Sequence, residues 1–175
     1  WQLRNCLVEI DHNFKPIPEL AESWESSPDA KVWTFNLRKG VEFHNGKTMT
    51  AADVIYSLQH HRGEESKSAG KAYLKAIESI KADGKYKVIF KLSGGSADFP
   101  FLLADYHLTI FPEGIKGAEF EKGMGTGGYI LKDWEPGVRS FVTRNPNYWK
   151  EGRAHFDEVE TLAIVDGNAR TNALK

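Results

Sequence analysis

Residues 32–46 read Val32-Trp33-Thr34-Phe35-Asn36-Leu37-Arg38-Lys39-Gly40-Val41-Glu42-Phe43-His44-Asn45-Gly46. Apolar and polar side chains alternate strictly from Val32 to Arg38, which is the pattern of a half-buried β-strand. Lys39-Gly40 predicts a turn, and Val41 and Phe43 predict a second strand after it. Asn45-Gly46 favours a tight turn, because asparagine and glycine adopt positive φ angles easily.

The residues that follow predict two helices and a hairpin. Thr50-Ala51-Ala52-Asp53 resembles a capping box with Asp in place of Glu, so a helix should run from Ala51 to about His60. Its expected buried residues are Val54, Ile55 and Leu58. A second helix is predicted over Lys71–Ser79, with Tyr73, Ala76 and Ile77 facing inward. Ile80–Leu92 reads as a hairpin around Asp83-Gly84, with Tyr86, Val88, Phe90 and Leu92 on its inner face.

The second half of the chain continues in short elements. We expect a short apolar helix over 98–104, a hairpin of 129–134 with 138–144, and a last strand over 159–165. Asp166 or Asn168 then caps the start of another helix. Strands and helices alternate irregularly and hairpins dominate. This pattern favours an α+β fold with mixed, hairpin-rich sheets and packed helices.

Composition excludes several classes of protein. The 175 residues carry a net charge of −1, and 41% of them are apolar, so the chain is long and apolar enough to bury a core. A nucleic-acid binder would usually be strongly basic. Cys6 is the only cysteine, which excludes an internal disulfide and a multi-cysteine zinc site. The sequence lacks an initiator Met and closes within a helical pattern, so we interpret it as an excerpt of a longer protein.

The pattern Gly123-Met124-Gly125-Thr126-Gly127-Gly128 formally matches the dinucleotide-binding motif GxGxxG. That motif needs a strand before it and a helix after it, whereas here a polar loop precedes and a strand follows. The glycines are better explained by a tight chain reversal or a close approach of two backbone segments. We therefore expect no nucleotide cofactor.

Histidines and the cysteine give no clear catalytic or metal site. His60 with Glu64, and His61 with Glu65, are spaced to share a helix face, but a metal needs further ligands, and we interpret them as a solvated helix end. His44 is expected on the outward face of a strand end. Cys6 is expected to pack as a small apolar residue. Neither a nucleophile motif nor a pair of catalytic carboxylates stands out, so nothing argues for an enzyme, a metal or a cofactor.

Asp105-Tyr106-His107 presents an acid, a phenol and an imidazole in succession between two apolar stretches. Such a group can supply converging polar atoms at the edge of a pocket. It can equally form an ordinary helix end, with Tyr106 packed and His107 exposed. The spacing alone leaves both interpretations open.

Several motifs together resemble a known family. These are Leu20-Ala21-Glu22-Ser23-Trp24, the stretch 33–46, Thr50–Ser57, Gly125–Tyr129 and Arg144-Asn145-Pro146-Asn147-Tyr148-Trp149, in this order and spacing. They are similar to the family-5 extracellular solute-binding proteins of ABC importers, the dipeptide, oligopeptide and nickel group. The resemblance implies part of the first lobe of a two-lobed, type II-like periplasmic binding protein. Residues 1–112 would form its accessory subdomain, and residues 113–175 the incomplete return into the main subdomain.

The same resemblance implies a binding role. The chain would belong to a periplasmic component, free or lipid-anchored, that captures peptide-like or other small polar solutes by lobe closure. Its partners would be the ligand, an ABC permease and the second lobe of the parent chain. Substrate-binding positions would be Gly70 and Tyr73, from the loop that approaches the ligand, and Asp105, Tyr106 and His107 at the cleft. The alternative is a non-catalytic module that binds a protein or a glycan.

Overall fold

The computed structural model describes residues 2–175, with the backbone alone at 118 and 119. Strands are β1 (Val8–Ile10), β2 (Pro16–Pro18), β3 (Ala21–Ser26), β4 (Val32–Leu37), β5 (Ile77–Ala82), β6 (Lys87–Leu92), β7 (Tyr129–Glu135), β8 (Arg139–Arg144) and β9 (Glu158–Leu162). Helices are α1 (Ala51–Arg62), α2 (Phe99–Leu102), α3 (Ala118–Glu121) and α4 (Gly167–Ala173), and a 3-10 turn covers Ala69–Lys71.

The strands form three antiparallel sheets. β1 pairs with β2, four strands form a sheet in the order β3-β4-β6-β5, and three form a sheet in the order β7-β8-β9. Strands and helices are mixed and the strand pairs are antiparallel, which confirms the α+β class. None of the described helices is long and apolar enough to cross a membrane.

The core lies on the inner face of the four-stranded sheet. The alternation in β4 buries Trp33, Phe35 and Leu37, as predicted. Phe35 contacts Phe90 and Phe99 with ring centroids 5.4 Å and 6.2 Å away. Edge-on aromatic contacts of this kind add to the hydrophobic stabilisation from area burial.

Helix α1 packs against this core and begins as predicted. The Asp53 carboxylate accepts hydrogen bonds from the Thr50 backbone N–H (2.8 Å) and hydroxyl (2.9 Å). It also accepts from the Glu113 N–H (2.8 Å) and forms an ion pair with Lys47. Asp53 is fully buried, so one carboxylate joins the helix start to two other parts of the chain.

Two predicted elements are wrong. Residues 71–79 do not form a helix, because Ile77 and Ile80 belong to β5 and pair with β6. Leu74 is buried in this segment, whereas Tyr73 is 37% exposed. Val41 and Phe43 are buried, but residues 41–43 contribute only an isolated bridge between Glu42 and Thr48.

The remaining predictions are largely confirmed. The turn at Asp83-Gly84 joins β5 to β6, and Gly84 has a positive φ. The hairpin β7–β8 and helix α4 lie where expected, and Asp166 caps α4 by accepting from the Ala169 N–H at 2.7 Å. Strands β1, β2 and β3 are not predicted from the sequence pattern.

Candidate functional site

A cleft of about 360 Å³ lies between β1 and the segment that follows β8. Its walls combine apolar and polar side chains from five separate parts of the sequence. They are Gln2, Asn5, Val8, Glu9, Ile10, Glu19, Ala104, Gly128, Tyr129, Tyr148, Lys150, Arg153 and Ala154. A concave, mostly apolar surface with a few polar groups is typical of a small-molecule site.

A buried polar group forms the floor of the cleft. Glu19 is 8% exposed and accepts hydrogen bonds from the Asn5 amide (2.8 Å) and the Cys6 backbone N–H (3.0 Å). Burial raises the pKa of the Glu19 carboxyl, and these hydrogen bonds oppose that effect. The Asn5 amide also donates to the Tyr148 hydroxyl at 3.3 Å, and burial raises the pKa of that phenol. Hydrogen bonds between residues far apart in the sequence therefore fix the floor of the cleft.

Lys150 supplies a cation beside this floor. Its ammonium pairs with the Glu9 carboxylate and lies 4.0 Å from Glu19. It also lies 5.7 Å from the centre of the Trp149 ring. The positive charge of Lys150 is therefore already neutralised by Glu9, which also lines the cleft.

The glycine-rich segment confirms the expected close approach of two backbone segments. An added Cβ at Gly125 would lie 2.4 Å from the Leu3 carbonyl oxygen, and one at Gly127 would lie 2.3 Å from that of Gln2. Gly128 faces the Tyr148 ring, with its added Cβ 3.1 Å from that ring. The glycines therefore allow residues 2–4 to cross this loop, which places Asn5 in the cleft.

Side chains lock the glycine segment in place. Thr126 donates its hydroxyl to the Asn5 side-chain oxygen at 2.9 Å, and Asn145 donates its amide to the Gly127 carbonyl at 3.0 Å. His44 Nε2 is hydrogen-bonded to the same carbonyl at 3.1 Å. The outward orientation expected for His44 is wrong, since its ring is half-buried against this loop and burial lowers its pKa.

The five predicted site residues form one cluster, but none of them lines the cleft. The Asp105 carboxylate accepts from the His107 backbone N–H (2.9 Å) and pairs with its Nδ1 (2.7 Å). The His107 ring lies 3.9 Å from the ring of Tyr106 and 6.2 Å from that of Tyr73. An added Cβ at Gly70 would lie 3.3 Å from the His107 Cβ.

This cluster adjoins the cleft through the neighbouring residue Ala104. Ala104 lines the cleft, and the Cys6 thiol donates to the Asp105 carbonyl at 3.3 Å. Tyr106 is 65% exposed, so its phenol is open to a ligand or partner. Contact of the five predicted site residues with a ligand stays a prediction. Cys6 itself is buried, as expected.

His61 does not lie on a solvated helix end. It is 7% exposed, and its Nδ1 lies 2.6 Å from the Ser68 hydroxyl, which accepts from the Gly70 N–H. Burial, and then the charges of His60 and His107, lower the pKa of His61 to about 4. Among the described residues, no group of three or more His, Cys, Asp or Glu side chains could hold a metal ion.

The cleft residues were not found by sequence reasoning. Asn5 and Glu19 directly precede the buried segments Cys6–Val8 and Leu20-Ala21. A polar residue at the start of a buried segment is a sequence signal that could have indicated these two cleft residues. Tyr148 and Lys150 lie in or beside one of the family motifs, but no spacing rule connects them to residues 5 and 19.

Comparisons with known proteins agree with this fold. The model of bacterial extracellular solute-binding proteins, family 5 Middle, matches residues 15–175. The chain belongs to this family. The di/tripeptide-binding protein 2 of Pseudomonas aeruginosa is 32% identical over 91% of this chain and 35% of its own length. The nickel-binding periplasmic protein of Escherichia coli is 32% identical over 97% of this chain and 33% of its own.

Solved structures of the family share the fold. The binding protein AgaA of A. tumefaciens, in complex with agropinic acid, has a TM-score of 0.89 and 32% identity over 99% of this chain and 36% of its own. The oligopeptide-binding protein AppA of Bacillus subtilis, in complex with a nonapeptide, has a TM-score of 0.87 and 27% identity. The chain covers 99% of its own length and 36% of AppA. The family-5 chain described here thus spans about a third of the length of its relatives.

Proposed function

We propose that this chain is part of the substrate-binding component of an ABC importer and that it captures a peptide-like or other small polar solute without chemical change. The observation that carries the proposal is the cleft with its buried Asn5–Glu19–Tyr148 floor. A pre-formed apolar cleft with fixed polar groups suits reversible binding. The relatives reported above are named as binding proteins, which supports a non-catalytic role.

The proposed mechanism is closure of two lobes over the solute, followed by delivery to a membrane permease from the periplasm. This chain would supply one wall of the binding site. The cluster beside that wall would contact the solute through Gly70, Tyr73, Asp105, Tyr106 and His107. The division into an accessory subdomain (1–112) and a return segment (113–175) is part of this proposal. Affinity would come from contacts that exist only in the closed state.

A paired thermal-shift screen tests the proposal, using this chain and the full-length protein that contains it. The library would hold di- and oligopeptides, amino acids, sugars and nickel chelates. A solute at about 100 times its dissociation constant adds roughly 2.7 kcal/mol to the free energy of unfolding. We expect one class of solute to stabilise the longer protein more than this chain. Hydrolysis of a library compound, or the absence of any shift in both proteins, would contradict the proposal.

A second candidate function, a protein-interaction module, is favoured by the sheet β7-β8-β9. Trp134 is 54% exposed and Leu162 58% exposed on this sheet, and Val165 beyond it is 92% exposed. The strand pairing places Trp134 opposite Ser140 and Leu162 opposite Arg139, so the two side chains lie on different faces, and each face presents an apolar group that a partner protein could cover. Sedimentation velocity over a range of concentrations distinguishes the two candidates, since an interaction module should associate and a capture component need not.

A further inference from the structure

The segment between α1 and β5, residues 63–76, is attached to the rest of the protein by few contacts, and we call it the flap. Of its side chains and glycines only Gly70 and Leu74 are buried. Among the residues that the structure describes, one hydrogen bond joins flap residues 64–73 to a residue outside the flap, and no ion pair does so. That hydrogen bond lies between His61 Nδ1 on α1 and the Ser68 hydroxyl, at 2.6 Å.

The attachment point is therefore a single titratable ring. His61 is 7% exposed, and an added Cβ at Gly70 would lie 3.2 Å from its Nδ1, so the flap backbone packs directly on the imidazole. The Ser68 hydroxyl also accepts from the Gly70 N–H at 3.1 Å, which couples the turn of the flap to the same bond. The other ring nitrogen, Nε2, is buried and has no hydrogen-bond partner among the described residues.

This arrangement suits a neutral imidazole and opposes a protonated one. A protonated ring carries an N–H on both nitrogens, so Nε2 would have to donate where no described atom accepts, and the charge itself would be buried. The His60 ring lies 5.3 Å away, and the Asp105 carboxylate is already paired with His107 Nδ1 at 2.7 Å. Burial, followed by the charges of His60 and His107, accordingly lowers the pKa of His61.

The other charged side chains of the surrounding elements do not compensate a charge on His61. Within the described part of the chain, none of them forms a hydrogen bond or an ion pair with its ring. The Arg62 guanidinium donates to the Ile77 carbonyl, and the Lys71 ammonium donates to the Glu64 carbonyl at 2.7 Å. The remaining ones are Glu78 of β5 and, in the flap, Glu64, Glu65, Lys67 and Lys75.

We propose that His61 is the acid-sensitive attachment point of the flap, so that protonation of its ring releases residues 64–73 from α1 while the sheet stays folded. Release gives both N–H groups access to water, and segments with few buried apolar contacts open without global unfolding. The opening goes beyond the proposed function and does not rest on it. Gly70 and Tyr73, two of the residues predicted to contact a solute, lie on the flap, so release would withdraw them.

The test is amide hydrogen exchange of the full-length protein that contains this chain, at pH 7 and pH 4, corrected for the intrinsic pH dependence of exchange. The reporters are the N–H groups of Gly70 and Lys71, which donate to the Ser68 hydroxyl and carbonyl, and the amides of β4 report on the sheet. The variants are His61→Gln, whose amide can still bond Ser68 but does not titrate, and Ser68→Ala, which removes the attaching hydroxyl. The matched control is His12→Gln, which removes an exposed histidine of the β1–β2 turn.

We expect the protection of the flap amides in the wild type to fall by roughly 100-fold between pH 7 and pH 4, while β4 stays protected. This factor follows from a pKa of about 4 in the closed flap and an ordinary histidine pKa in the open one. His12→Gln should behave like the wild type, His61→Gln should lose the pH response, and Ser68→Ala should already expose the Lys71 amide at pH 7. The Ser68→Ala result decides the matter if circular dichroism shows that His61→Gln does not fold.

Three results would overturn the inference: flap amides that are unprotected at pH 7, protection that is lost equally in β4, or an unchanged pH response in His61→Gln. None of these measurements needs a solute, so a failure here is distinct from a failure of the proposed binding function.

Discussion

Replacing Gly127 with alanine tests how the cleft is built. The added Cβ would lie 2.3 Å from the Gln2 carbonyl oxygen, 2.4 Å from the Leu3 carbonyl carbon and 2.8 Å from the Arg4 nitrogen. All three are backbone atoms, so no side-chain rotation relieves the contact. The N-terminal segment must move away, and two backbone hydrogen bonds of 3.0 Å are strained: Gly127 N–H to Leu3 and Tyr129 N–H to Gln2.

The cost follows from these contacts. Overpacking a close contact costs about 1–3 kcal/mol, and each strained hydrogen bond adds about 0.5–1.5 kcal/mol. We therefore expect Gly127→Ala to lower the free energy of unfolding by about 2–4 kcal/mol. In a chain of this size each kcal/mol shifts the melting temperature by about 2–4 °C, so the decrease should be roughly 5–15 °C.

Urea unfolding followed by tryptophan fluorescence measures this effect. Gly94→Ala is the matched control, since an added Cβ there meets no atom within 4 Å and its φ is not in the left-handed region. That control should be neutral or slightly stabilising, because alanine restricts the unfolded chain. If Gly127→Ala and Gly94→Ala differ by less than about 0.5 kcal/mol, the close-approach argument is refuted.

Three further predictions concern stability. The pKa of His61, lowered to about 4, means that the unfolded chain binds its proton first as the pH falls. The stability of the native state should therefore drop by up to about 3 kcal/mol between pH 6.5 and pH 4, and chemical unfolding of His61→Gln should show a flatter pH dependence there. Phe14 has a φ of 59° and an 83% exposed side chain, so Phe14→Gly should stabilise by about 1 kcal/mol, and a lower melting temperature would contradict this. Asp53→Ala should cost about 3–5 kcal/mol because it leaves Lys47 and three other donors without their acceptor, whereas the exposed Asp83→Ala should cost less than about 1 kcal/mol in the same urea assay.

Local patterns account for the elements that sequence reasoning predicts well. The alternation over β4, the capping box of α1 and the turn residues of β7–β8 act over a few neighbouring residues. Residues 71–79 show why such reasoning fails elsewhere. Tyr73, Ala76 and Ile77 fit a helical period, but pairing with β6 places Ile77 in a strand. Long-range pairing outweighs local preference there.

The candidate site likewise has one part that local sequence indicates and one part that it does not. Residues 105–107 stand out in the sequence because they are consecutive and chemically distinctive, but their contact with a ligand stays a prediction. The floor could not be predicted, because Asn5, Glu19 and Tyr148 meet only after the N-terminal segment has crossed the glycine loop. The glycines indicated that crossing, but not which segment would cross.

The cleft is lined by a fixed polar frame and by exposed side chains around it. Asn5, Thr126 and Glu19 hold one another by buried hydrogen bonds, so changing any of them should disturb stability and binding together. Arg153 makes no such contact among the described side chains, so its replacement should leave the frame nearly unchanged. Relatives named for di- and tripeptides and for nickel are each 32% identical to this chain over most of its length. A frame held by its own buried hydrogen bonds can keep its shape while the exposed side chains around the cleft differ, which gives a physical route by which one fold serves different solutes.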